Sequence, residues 1–471
     1  MTSPKHIHIV GICGVGTGAL AVALKNAGYK VTGSDKGFFP PVSTALEQVG
    51  VEFYAGWHPE KMGKPDFVVA GGSGTSLSNP EVVRAKELGI PIQSFAQAVG
   101  EFIVKEGNSI VVAGTWGKSS STAILSYILE QVGLNPGYFF GGLATSLQSG
   151  KIGSGNISVV EGDEYQAAIY DKKPKFAYYK PTHLLLTAVS WDHADLYPTE
   201  DAYFNTFKKL VNSIPRDGKI IASTDDDGVK SILGLAGDEH YDKRIAYGKE
   251  ECSFPFYRYQ NVQQSKDGIT FEIVDLEVKT HTIHSPMLGE FQAENITGCF
   301  AMAREIGIEP RAIIKAIAEF KGMKRRLEKR HEGDITVIDD IAHSPEKAAS
   351  VLATLRNIYQ GKIFVVFEPN IGGRQKEAVS KYDNAFKNAN EIIIPRLTKL
   401  KVSDDEDKRP LEGDELTKVI SKTHPNTYYI DNDDTLIHHI TAHAKKGDVI
   451  AFLGSHGFRG MIEETIKTLN R

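Results

Sequence analysis

A short glycine-containing loop between two apolar stretches carries residue types that could bind phosphate. The β-branched run Ser109–Ala113 leads into the loop Gly114–Gly117, and Lys118 and Ser119 follow the loop directly. Glycines let backbone N–H groups surround phosphate oxygens, the lysine adds positive charge, and a hydroxyl after the lysine can bind Mg²⁺. The residues expected to bind ATP here are Gly114, Thr115, Gly117, Lys118, Ser119 and Ser120.

The alternative interpretation is that this loop is only a tight turn between a strand and a helix. Val112 stands where the generic phosphate-binding pattern has its first glycine, so the spacing is not decisive by itself. Beyond the lysine, however, apolar residues recur at helical spacing until Gly133, which predicts a helix whose N-terminus faces the loop. This order of strand, loop and helix favours phosphate binding.

An acidic residue and a histidine follow two other predicted strands. Asn156–Val160 runs into Glu161, and Leu184–Thr187 runs toward His193. Because the carboxyl ends of parallel strands meet at one edge of a sheet, both side chains could flank a metal that is bound to phosphate. Taken singly, each could be an ordinary surface group. The predicted catalytic residues are Lys118, Glu161 and His193, and the predicted metal ligands are Ser119, Glu161 and His193.

A second glycine loop lies near the N-terminus. The predicted strand His6–Val10 is followed by the glycine-rich stretch Gly11–Gly18, a helix that ends at Gly28, and a strand that ends at Asp35. An acid about 20 residues after such a loop is typical of a ribose-binding site. A nucleotide diphosphate could bind here, and the alternative is tight packing of strand against helix. The residues of this candidate site are Gly14, Gly16, Thr17 and Asp35.

Length and charge limit the kinds of partner that the protein can have. The chain has 471 residues, which predicts about three domains. Its 54 Lys and Arg against 59 Asp and Glu give a formal net charge of −5, which offers no basic surface for nucleic acid or an anionic membrane. We find no signal-like segment and no stretch of about 18 apolar residues. We expect a cytoplasmic protein with small-molecule partners.

The order of predicted elements indicates the fold class. Strand and helix signals alternate along most of the chain, which predicts an α/β fold with parallel sheets. We place a Rossmann-like domain at residues 1–107, a central P-loop domain at 108–322 and a second Rossmann-like domain at 323–471. The exception is Arg244–Met287, whose alternating runs predict a small β excursion in place of another βαβ unit.

Several motifs, taken in this order, resemble the Mur ligase family over nearly the whole chain. The segments that carry the resemblance are the first glycine loop with Asp35, the Lys118 loop, Glu161–Glu164, Asp192–Asp195, Asn295, Lys324–Arg326 and Asp339–Pro345. The resemblance implies an ATP-dependent, ADP-forming carbon–nitrogen ligase that acts on UDP-N-acetylmuramate in peptidoglycan metabolism. It also implies that the first glycine loop binds the UDP part of that substrate and does not bind NAD.

The resemblance assigns further residues to ATP and to an amine substrate. The central domain would bind ATP and Mg²⁺, and the third domain would bring in the amine. The additional residues that it implies for ATP are Asn295, Arg326, Asp340 and His343. The residues that it suggests for the amine are Arg374, Ser455 and His456, although Arg374 could equally be an ordinary surface arginine.

Three segments are similar to family members that accept a peptide. These segments are Tyr170–Pro181 with Trp191–Pro198, and Gly454–Gly460 near the end of the chain. They favour joining UDP-N-acetylmuramate to L-alanyl-γ-D-glutamyl-meso-diaminopimelate, a step of peptidoglycan recycling. The alternative within the family is joining UDP-N-acetylmuramate to L-alanine. The sequence leaves the third residue of the peptide open.

The chain also departs from the family pattern. Trp116 stands where the family usually has His or Asn, and Ser119 stands in place of Thr. Phe291 and Gln292 replace a His-Asn pair that precedes Asn295. The predicted contacts to adenine are therefore in doubt, and a shifted substrate or lost turnover is an open alternative.

The chemistry that these parts imply is activation of a carboxylate. The γ-phosphate of ATP and a substrate carboxylate repel each other, so positive charge from Lys118 and Mg²⁺ must align them. An acyl phosphate would form, and the amine would attack it to give an amide. Two other classes stay open: a dinucleotide-dependent oxidoreductase, which leaves the Lys118 loop unexplained, and a non-catalytic nucleotide-binding module.

Overall fold

The structure is a computed structural model that describes residues 5–70, 75–193, 195–235, 243–250, 252–398 and 409–470. The chain divides into two compact units. The first unit contains Met1–Val262, Thr270–Ser285 and Phe291–Lys321, and the second contains Gln263–Ile269, Pro286–Glu290 and Gly322–Arg471.

The N-terminal sheet is entirely parallel. Its strands are β1 (His6–Val10), β2 (Lys30–Asp35), β3 (Glu52–Ala55), β4 (Phe67–Ala70) and β5 (Ile92–Gln93). The helices between and after them are α1 (Val15–Asn26), α2 (Val42–Gln48), α3 (Pro80–Glu87) and α4 (Phe95–Phe102). The strand order β3-β2-β1-β4-β5 reverses direction at β1, so the loop after β1 lies at the switch point where open α/β sheets bind ligands.

The largest sheet and its helices follow. Its strands, with the separate hairpin β10–β11, are β6 (Ser109–Ala113), β7 (Gly137–Phe139), β8 (Gly150–Lys151), β9 (Ser158–Gly162), β10 (Gln166–Ala168), β11 (Asp171–Pro174), β12 (His183–Leu186), β13 (Lys219–Ser223), β14 (Arg244–Gly248), β15 (Phe256–Ser265), β16 (Gly268–Val274) and β17 (Thr280–Ser285). The helices are α5 (Lys118–Gln131), α6 (Glu200–Asn212), α7 (Asp227–Leu235), α8 (Phe291–Glu305) and α9 (Pro310–Glu319).

Strand β6 is an interior strand of the largest sheet. The strand order is β17-β16-β15-β14-β13-β12-β6-β9-β7-β8, and β6 pairs in parallel with β12 on one side and β9 on the other. All five residues of β6 are buried, which fits its β-branched sequence. The carboxyl ends of β9, β6 and β12 therefore lie side by side. Glu161 is the penultimate residue of β9, and Lys118 and His193 follow β6 and β12 respectively.

The predicted β excursion begins later in the chain than the sequence suggested. Arg244–Gly248 is β14, which follows helix α7 and pairs in parallel with β13, so it completes a βαβ unit. All five of its residues are buried, and a fully buried parallel strand shows no alternation to identify it. Only β15, β16 and β17 form the excursion, as neighbours at one end of the largest sheet.

The second unit contains a six-stranded sheet. Its strands are β18 (Glu328–His331), β19 (Thr336–Asp340), β20 (Ile363–Glu368), β21 (Glu391–Pro395), β22 (Thr427–Ile430) and β23 (Val449–Gly454). Its helices are α10 (Pro345–Ile358), α11 (Gly413–Ser421), α12 (Asp433–His443) and α13 (Met461–Leu469). The order is β18-β19-β23-β20-β21-β22, and the described pairings are parallel except that between β18 and β19.

Helices cover both faces of this sheet. Along β20, Val365 and Phe367 join the core under α10 and α11, whereas Phe364 and Val366 join a separate core under α12 and α13. Successive side chains of a strand point to opposite faces, so one apolar run supplies both cores. The predicted α/β class with Rossmann-like sheets is confirmed. In the described ranges, no helix is both long and apolar enough to span a membrane.

Candidate active site

The loop after β6 has the geometry of a phosphate cradle. Gly114 has a φ of 141° and Gly117 a φ of 83°, conformations that favour glycine. A Cβ on Gly114 would collide with Thr187, and one on Gly117 would lie 2.7 Å from Asn295 Oδ1. Helix α5 begins at Lys118, so the positive end of its dipole faces the loop.

The stretch after β12 fixes this loop. Thr187 Oγ1 donates a hydrogen bond to the carbonyl of Trp116 at 2.6 Å, and the backbone N–H of Thr115 donates to the carbonyl of Ala188 at 2.7 Å. The Thr115 hydroxyl also donates to the carbonyl of Ser190 at 2.9 Å. These contacts tie the loop to the segment that follows β12.

Lys118 directs its ammonium group at three acceptors. The group donates hydrogen bonds to the carbonyl of Gly114, to the carbonyl of Thr115 at 3.3 Å and to Glu164 Oε2 at 2.9 Å. The side chain of Lys118 is only 12% exposed, and that of Glu164 is 1% exposed. The pair is thus a nearly buried ion pair at the base of the loop.

Glu164 also lies near a second predicted catalytic residue, His193. Its Oε1 accepts a hydrogen bond from the Tyr203 hydroxyl at 3.1 Å and lies 3.8 Å from His193 Nε2. The Tyr203 hydroxyl lies 3.0 Å from Thr115 Oγ1, which ties this group back to the loop. Sequence reasoning did not single out Glu164. Its place in the acidic cluster after β9 was the available signal.

Glu161 lies directly beside the start of α5. Ser119 Oγ donates a hydrogen bond to Glu161 Oε1 at 3.0 Å, and the N–H of Gly141 donates to Oε2 at 2.6 Å. Burial raises the pKa of the Glu161 carboxyl, while the Gly141 N–H and the Lys118 charge oppose that rise. Two of the three predicted metal ligands are therefore in contact, and the third, His193, lies beside Glu164.

The donor set fits Mg²⁺ in its chemistry. A carboxylate and a hydroxyl oxygen are the hard ligands that this ion prefers, and it commonly completes its shell with water and phosphate. In the part of the chain that the structure describes, no group of three or more His, Cys, Asp or Glu side chains is clustered as a metal site.

A cavity of about 580 Å³ connects the first glycine loop with this region. One wall is Gly14–Thr17 with Phe95, and the other includes Asp163, Lys175 and His193. Lys175 Nζ lies 2.5 Å from Asp163 Oδ2, an ion pair that sequence reasoning missed. Lys175 follows the hairpin β10–β11 and lies within Tyr170–Pro181, the segment that is similar to peptide-accepting family members. That similarity was the only sequence signal for Lys175.

The first glycine loop is held by its own predicted site residues. Thr17 Oγ1 donates a hydrogen bond to the carbonyl of Gly11 at 2.6 Å, and Thr17 is buried. Asp35 Oδ2 accepts from the N–H of Cys13 at 2.8 Å. Burial, together with the charge of Asp35, raises the pKa of the Cys13 thiol to about 11. Gly14 precedes α1 without a side-chain cap, so N–H groups of the first turn can bind an anion.

The residues around the Lys118 loop and the start of α8 include those that depart from the family pattern. Asn295 is largely buried, and its Oδ1 accepts from Ser121 Oγ at 3.4 Å. Ser120 is buried in the first turn of α5. Trp116 is 58% exposed and Phe291 is 48% exposed, so two large aromatic surfaces flank the loop and the start of α8. Gln292, in contrast, is buried.

In the second unit, Asp340 organises the segment after β19. Its carboxylate accepts from the N–H groups of Leu327 at 2.7 Å and Ala342 at 2.8 Å. Burial raises the pKa of Asp340 to about 6. Burial lowers the pKa of His343, whose Nδ1 lies 2.6 Å from the carbonyl of Ile341. Arg326 is exposed.

Two arginines of the second unit hold loops. Arg325 donates to the carbonyls of Gly454, Ser455 and His456, so it fixes the loop after β23 that contains two predicted amine contacts. Arg374 is 3% exposed, so the alternative of an ordinary surface arginine is wrong. Its guanidinium donates to the carbonyls of Leu411 at 2.8 Å and Thr398 at 2.9 Å, and burial lowers its pKa.

Three consecutive parts of the chain match family profiles. Residues 6–106 match "Mur ligase family, catalytic domain", residues 112–303 match "Mur ligase middle domain" and residues 325–456 match "Mur ligase, glutamate ligase domain". A relative from Escherichia coli (strain K12) is named UDP-N-acetylmuramate–L-alanyl-γ-D-glutamyl-meso-2,6-diaminoheptandioate ligase. It is 30% identical over 470 residues, covering 98% of this chain and 98% of the relative.

Solved structures give the same overall likeness. A murein peptide ligase from Psychrobacter arcticus is 26% identical, with a TM-score of 0.68 over 99% of both chains. A UDP-N-acetylmuramate–alanine ligase from Thermotoga maritima has a higher TM-score, 0.79, at 21% identity over 99% of both chains. The likeness to the Thermotoga maritima protein is one of fold. The Psychrobacter arcticus protein shares the fold and has the higher sequence identity of the two.

Proposed function

The chain belongs to the Mur ligase family, and from this premise we propose that it joins UDP-N-acetylmuramate to L-alanyl-γ-D-glutamyl-meso-diaminopimelate. As a member of the family it is a ligase. In the proposed reaction, the sugar carboxylate takes the γ-phosphoryl group of ATP, giving an acyl phosphate and ADP. The free amine of the peptide attacks the acyl carbon, loses a proton and releases phosphate. The product is an amide for use in peptidoglycan recycling.

The observation that carries this proposal is the cavity between the first glycine loop and the residues after β9. A diphosphate at the N-terminus of α1 would anchor the UDP-sugar at Gly14–Thr17. The sugar would then extend along the wall that contains Lys175 and His193. His193 is 3.8 Å from the carboxylate that binds Lys118, so the cavity leads to the phosphate loop. Asp35 supports this wall through the N–H of Cys13.

The charges around the loop suit a reaction between two anions. A carboxylate and the γ-phosphate can approach only where positive charge offsets their repulsion. Lys118 and the N-terminus of α5 supply part of it. We propose that Ser119, Glu161 and His193 hold Mg²⁺, which when bound would neutralise further negative charge on the phosphates.

The other predicted site residues remain part of the proposal. We assign ATP contacts to Asn295, Arg326, Asp340 and His343, and amine contacts to Arg374, Ser455 and His456. Arg374 already binds two carbonyls, so it would serve the amine site chiefly by fixing the backbone near Thr398 and Leu411.

The choice of peptide over L-alanine rests on two kinds of support. The E. coli relative that is 30% identical carries the peptide in its name. In addition, the segment Tyr170–Pro181, which is similar to peptide-accepting members, contains β11, the second strand of the hairpin β10–β11, and Lys175 on the cavity wall. The alternative acceptor is L-alanine, the substrate in the name of the Thermotoga maritima protein.

Two broader parts of the proposal accompany this activity. We propose three domains at residues 1–107, 108–322 and 323–471, with UDP-sugar, ATP and amine sites respectively. We also propose a cytoplasmic location, since nucleotide-linked sugars and ATP would both be available there. We propose small-molecule substrates as its partners, and neither nucleic acid nor a membrane.

A mass-spectrometric assay tests the activity. Purified protein is incubated with ATP, Mg²⁺, UDP-N-acetylmuramate and a panel of amines that includes the tripeptide and L-alanine. We expect a product whose mass equals the UDP-sugar plus the tripeptide minus water, with one phosphate released per amide. Reactions without the amine or without the UDP-sugar serve as controls. NADH-dependent chemistry, or nucleotide binding without any amide product, would contradict the proposal.

A further inference from the structure

The contacts of Glu164 suggest a role that none of the motifs assigned to it. All three N–H donors of the Lys118 ammonium have protein acceptors: two loop carbonyls and Glu164 Oε2. An ammonium group has no fourth donor. A phosphate oxygen can therefore bind Lys118 only if one of these three hydrogen bonds is exchanged.

The carboxylate is the acceptor that a phosphate can replace. It is the one charged acceptor among the three, and it comes from a different segment of the chain, whereas the two carbonyls belong to the phosphate loop itself. A phosphate oxygen offers the same negative charge and the same hydrogen-bond geometry. Exchange of Glu164 for phosphate leaves the two carbonyl bonds of Lys118 intact.

Other contacts hold Glu164 in place, so its carboxylate can compete with a phosphate for the Lys118 ammonium group. Its side chain is 1% exposed, Tyr203 donates to its Oε1, and Tyr197 donates to its backbone carbonyl at 2.6 Å. Its Oε1 lies on the side of His193, and its Oε2 lies on the side of Lys118. One carboxylate thus lies beside two of the predicted catalytic residues, Lys118 and His193.

We propose that Glu164 is a positioning residue that pairs with Lys118 until a nucleotide phosphate replaces it, and that then keeps its contact with His193. This inference rests on the proposed function for the identity of the nucleotide. It implies that Glu164 weakens nucleotide binding and supports turnover. Removing its charge therefore has opposite effects on the two quantities.

A double-mutant cycle tests the first half of the proposal. The dissociation constant of a non-hydrolysable ATP analogue with Mg²⁺ is measured by calorimetry for the full chain and for Glu164→Gln, in the parent and in Lys118→Ala. A hydrogen bond to a charged group changes an equilibrium constant by about tenfold or more. We therefore expect Glu164→Gln to lower the dissociation constant of the analogue by about tenfold in the parent. In the Lys118→Ala background we expect no gain. A loss of affinity in the parent, or an equal gain in both backgrounds, overturns the proposal.

Asp163→Asn is the matched control. It removes one negative charge from the preceding residue, but Asp163 pairs with Lys175 and makes no hydrogen bond to Lys118 among the described contacts. We expect its gain in affinity to be much smaller than that of Glu164→Gln. An equal gain would mean that net charge alone is responsible, and the proposal would be wrong. Glu164→Met is measured in parallel, with circular dichroism of each variant, so that misfolding of one does not decide the result.

Turnover tests the second half. Because a residue that orients a metal ligand typically contributes tenfold or more, we expect kcat of Glu164→Gln to fall by about tenfold while nucleotide affinity rises. A merely structural role would lower both. If the parent protein makes no amide at all, the proposed function fails, yet the binding cycle still reports on Glu164.

Discussion

Ser119 and Glu161 are 42 positions apart in sequence, yet the Ser119 hydroxyl donates a hydrogen bond to the Glu161 carboxylate at 3.0 Å. The register of the largest sheet explains this contact. In the parallel pairing of β6 with β9, Val112 stands opposite Glu161, so the end of β9 reaches the same level as the loop before α5. The two oxygen donors thus converge beside the phosphate cradle.

We predict that Glu161→Gln and His193→Ala act through Mg²⁺. Each should raise the Mg²⁺ concentration needed for half-maximal activity by about tenfold, because each removes one proposed ligand. Binding of the UDP-sugar should change much less than the Mg²⁺ dependence, since the proposed diphosphate anchor of that site is Gly14–Thr17. The measurement is a Mg²⁺ titration of activity, with the exposed Asp201→Asn as control. Titration curves that match the parent in both variants would remove Glu161 and His193 from the metal site.

We predict that Lys118→Ala loses about 3 kcal/mol of transition-state stabilisation, or roughly a hundredfold in kcat/KM, by analogy with loss of one preorganised donor. Steady-state kinetics with ATP as the varied substrate measures this. Lys180→Ala is the control, because its side chain is 73% exposed and pairs only with the exposed Glu106 among the described contacts. Normal turnover of Lys118→Ala would show that the loop after β6 does not bind the reacting phosphate.

A buried carboxylate in the N-terminal sheet gives a prediction about pH. Glu81 is fully buried and accepts hydrogen bonds from Ser34, from the Tyr54 hydroxyl at 2.7 Å and from the N–H of His58 at 2.9 Å. Burial raises the pKa of Glu81, but hydrogen bonds from His8, Ser34 and Tyr54 outweigh it and lower the pKa from 4.5 to about 2. The charged form is therefore favoured in the folded state.

Because the pKa of Glu81 is lower in the folded state than in the unfolded state, ionisation of this carboxyl stabilises the fold at pH values above the unfolded-state pKa. The contribution of Glu81 is complete well above pH 4.5 and is lost as the pH falls toward 2, and at neutral pH it amounts to about 3 kcal/mol. We expect Glu81→Gln to destabilise the N-terminal sheet by about that amount at pH 7, and by less at pH 3. Urea unfolding followed by Trp57 fluorescence, with Trp116 and Trp191 replaced by Phe, measures this. If the difference in unfolding free energy between the parent and Glu81→Gln does not shrink as the pH falls, Glu81 is not the stabilising charged group.

The sequence predicted those parts of the fold whose pattern is local. The loop Gly114–Gly117 lies between a β-branched run and an amphipathic stretch, and that order predicted the strand, loop and helix that the structure shows as β6 and α5. The two faces of β20 could also be anticipated, since an unbroken apolar run in an α/β chain is buried on both sides. By contrast, β14 was assigned to the excursion because full burial left no alternation to mark it as part of a βαβ unit.

Contacts between distant segments were beyond sequence reasoning. Glu161 and Glu164 lie three residues apart in one acidic cluster, and no local pattern shows that Glu161 contacts Ser119 while Glu164 contacts Lys118. Glu161 belongs to β9, which ends at Gly162, whereas the direction of the Glu164 side chain depends on how the chain turns after that strand. Arg374 was similarly ambiguous, because the carbonyls that bury it come from residues 24 and 37 positions away.

The acceptor preference is the central claim, and an internal competition tests it most directly. The purified protein receives ATP, Mg²⁺ and UDP-N-acetylmuramate with equimolar tripeptide and L-alanine in one vessel, and the two amide products are quantified by mass spectrometry at low conversion. Their ratio equals the ratio of kcat/KM values. Because a site built to pair the peptide carboxylates leaves its charged groups unpaired with L-alanine, we expect the tripeptide product to predominate strongly. A predominance of the L-alanine product would contradict the account and make the protein a muramate–alanine ligase.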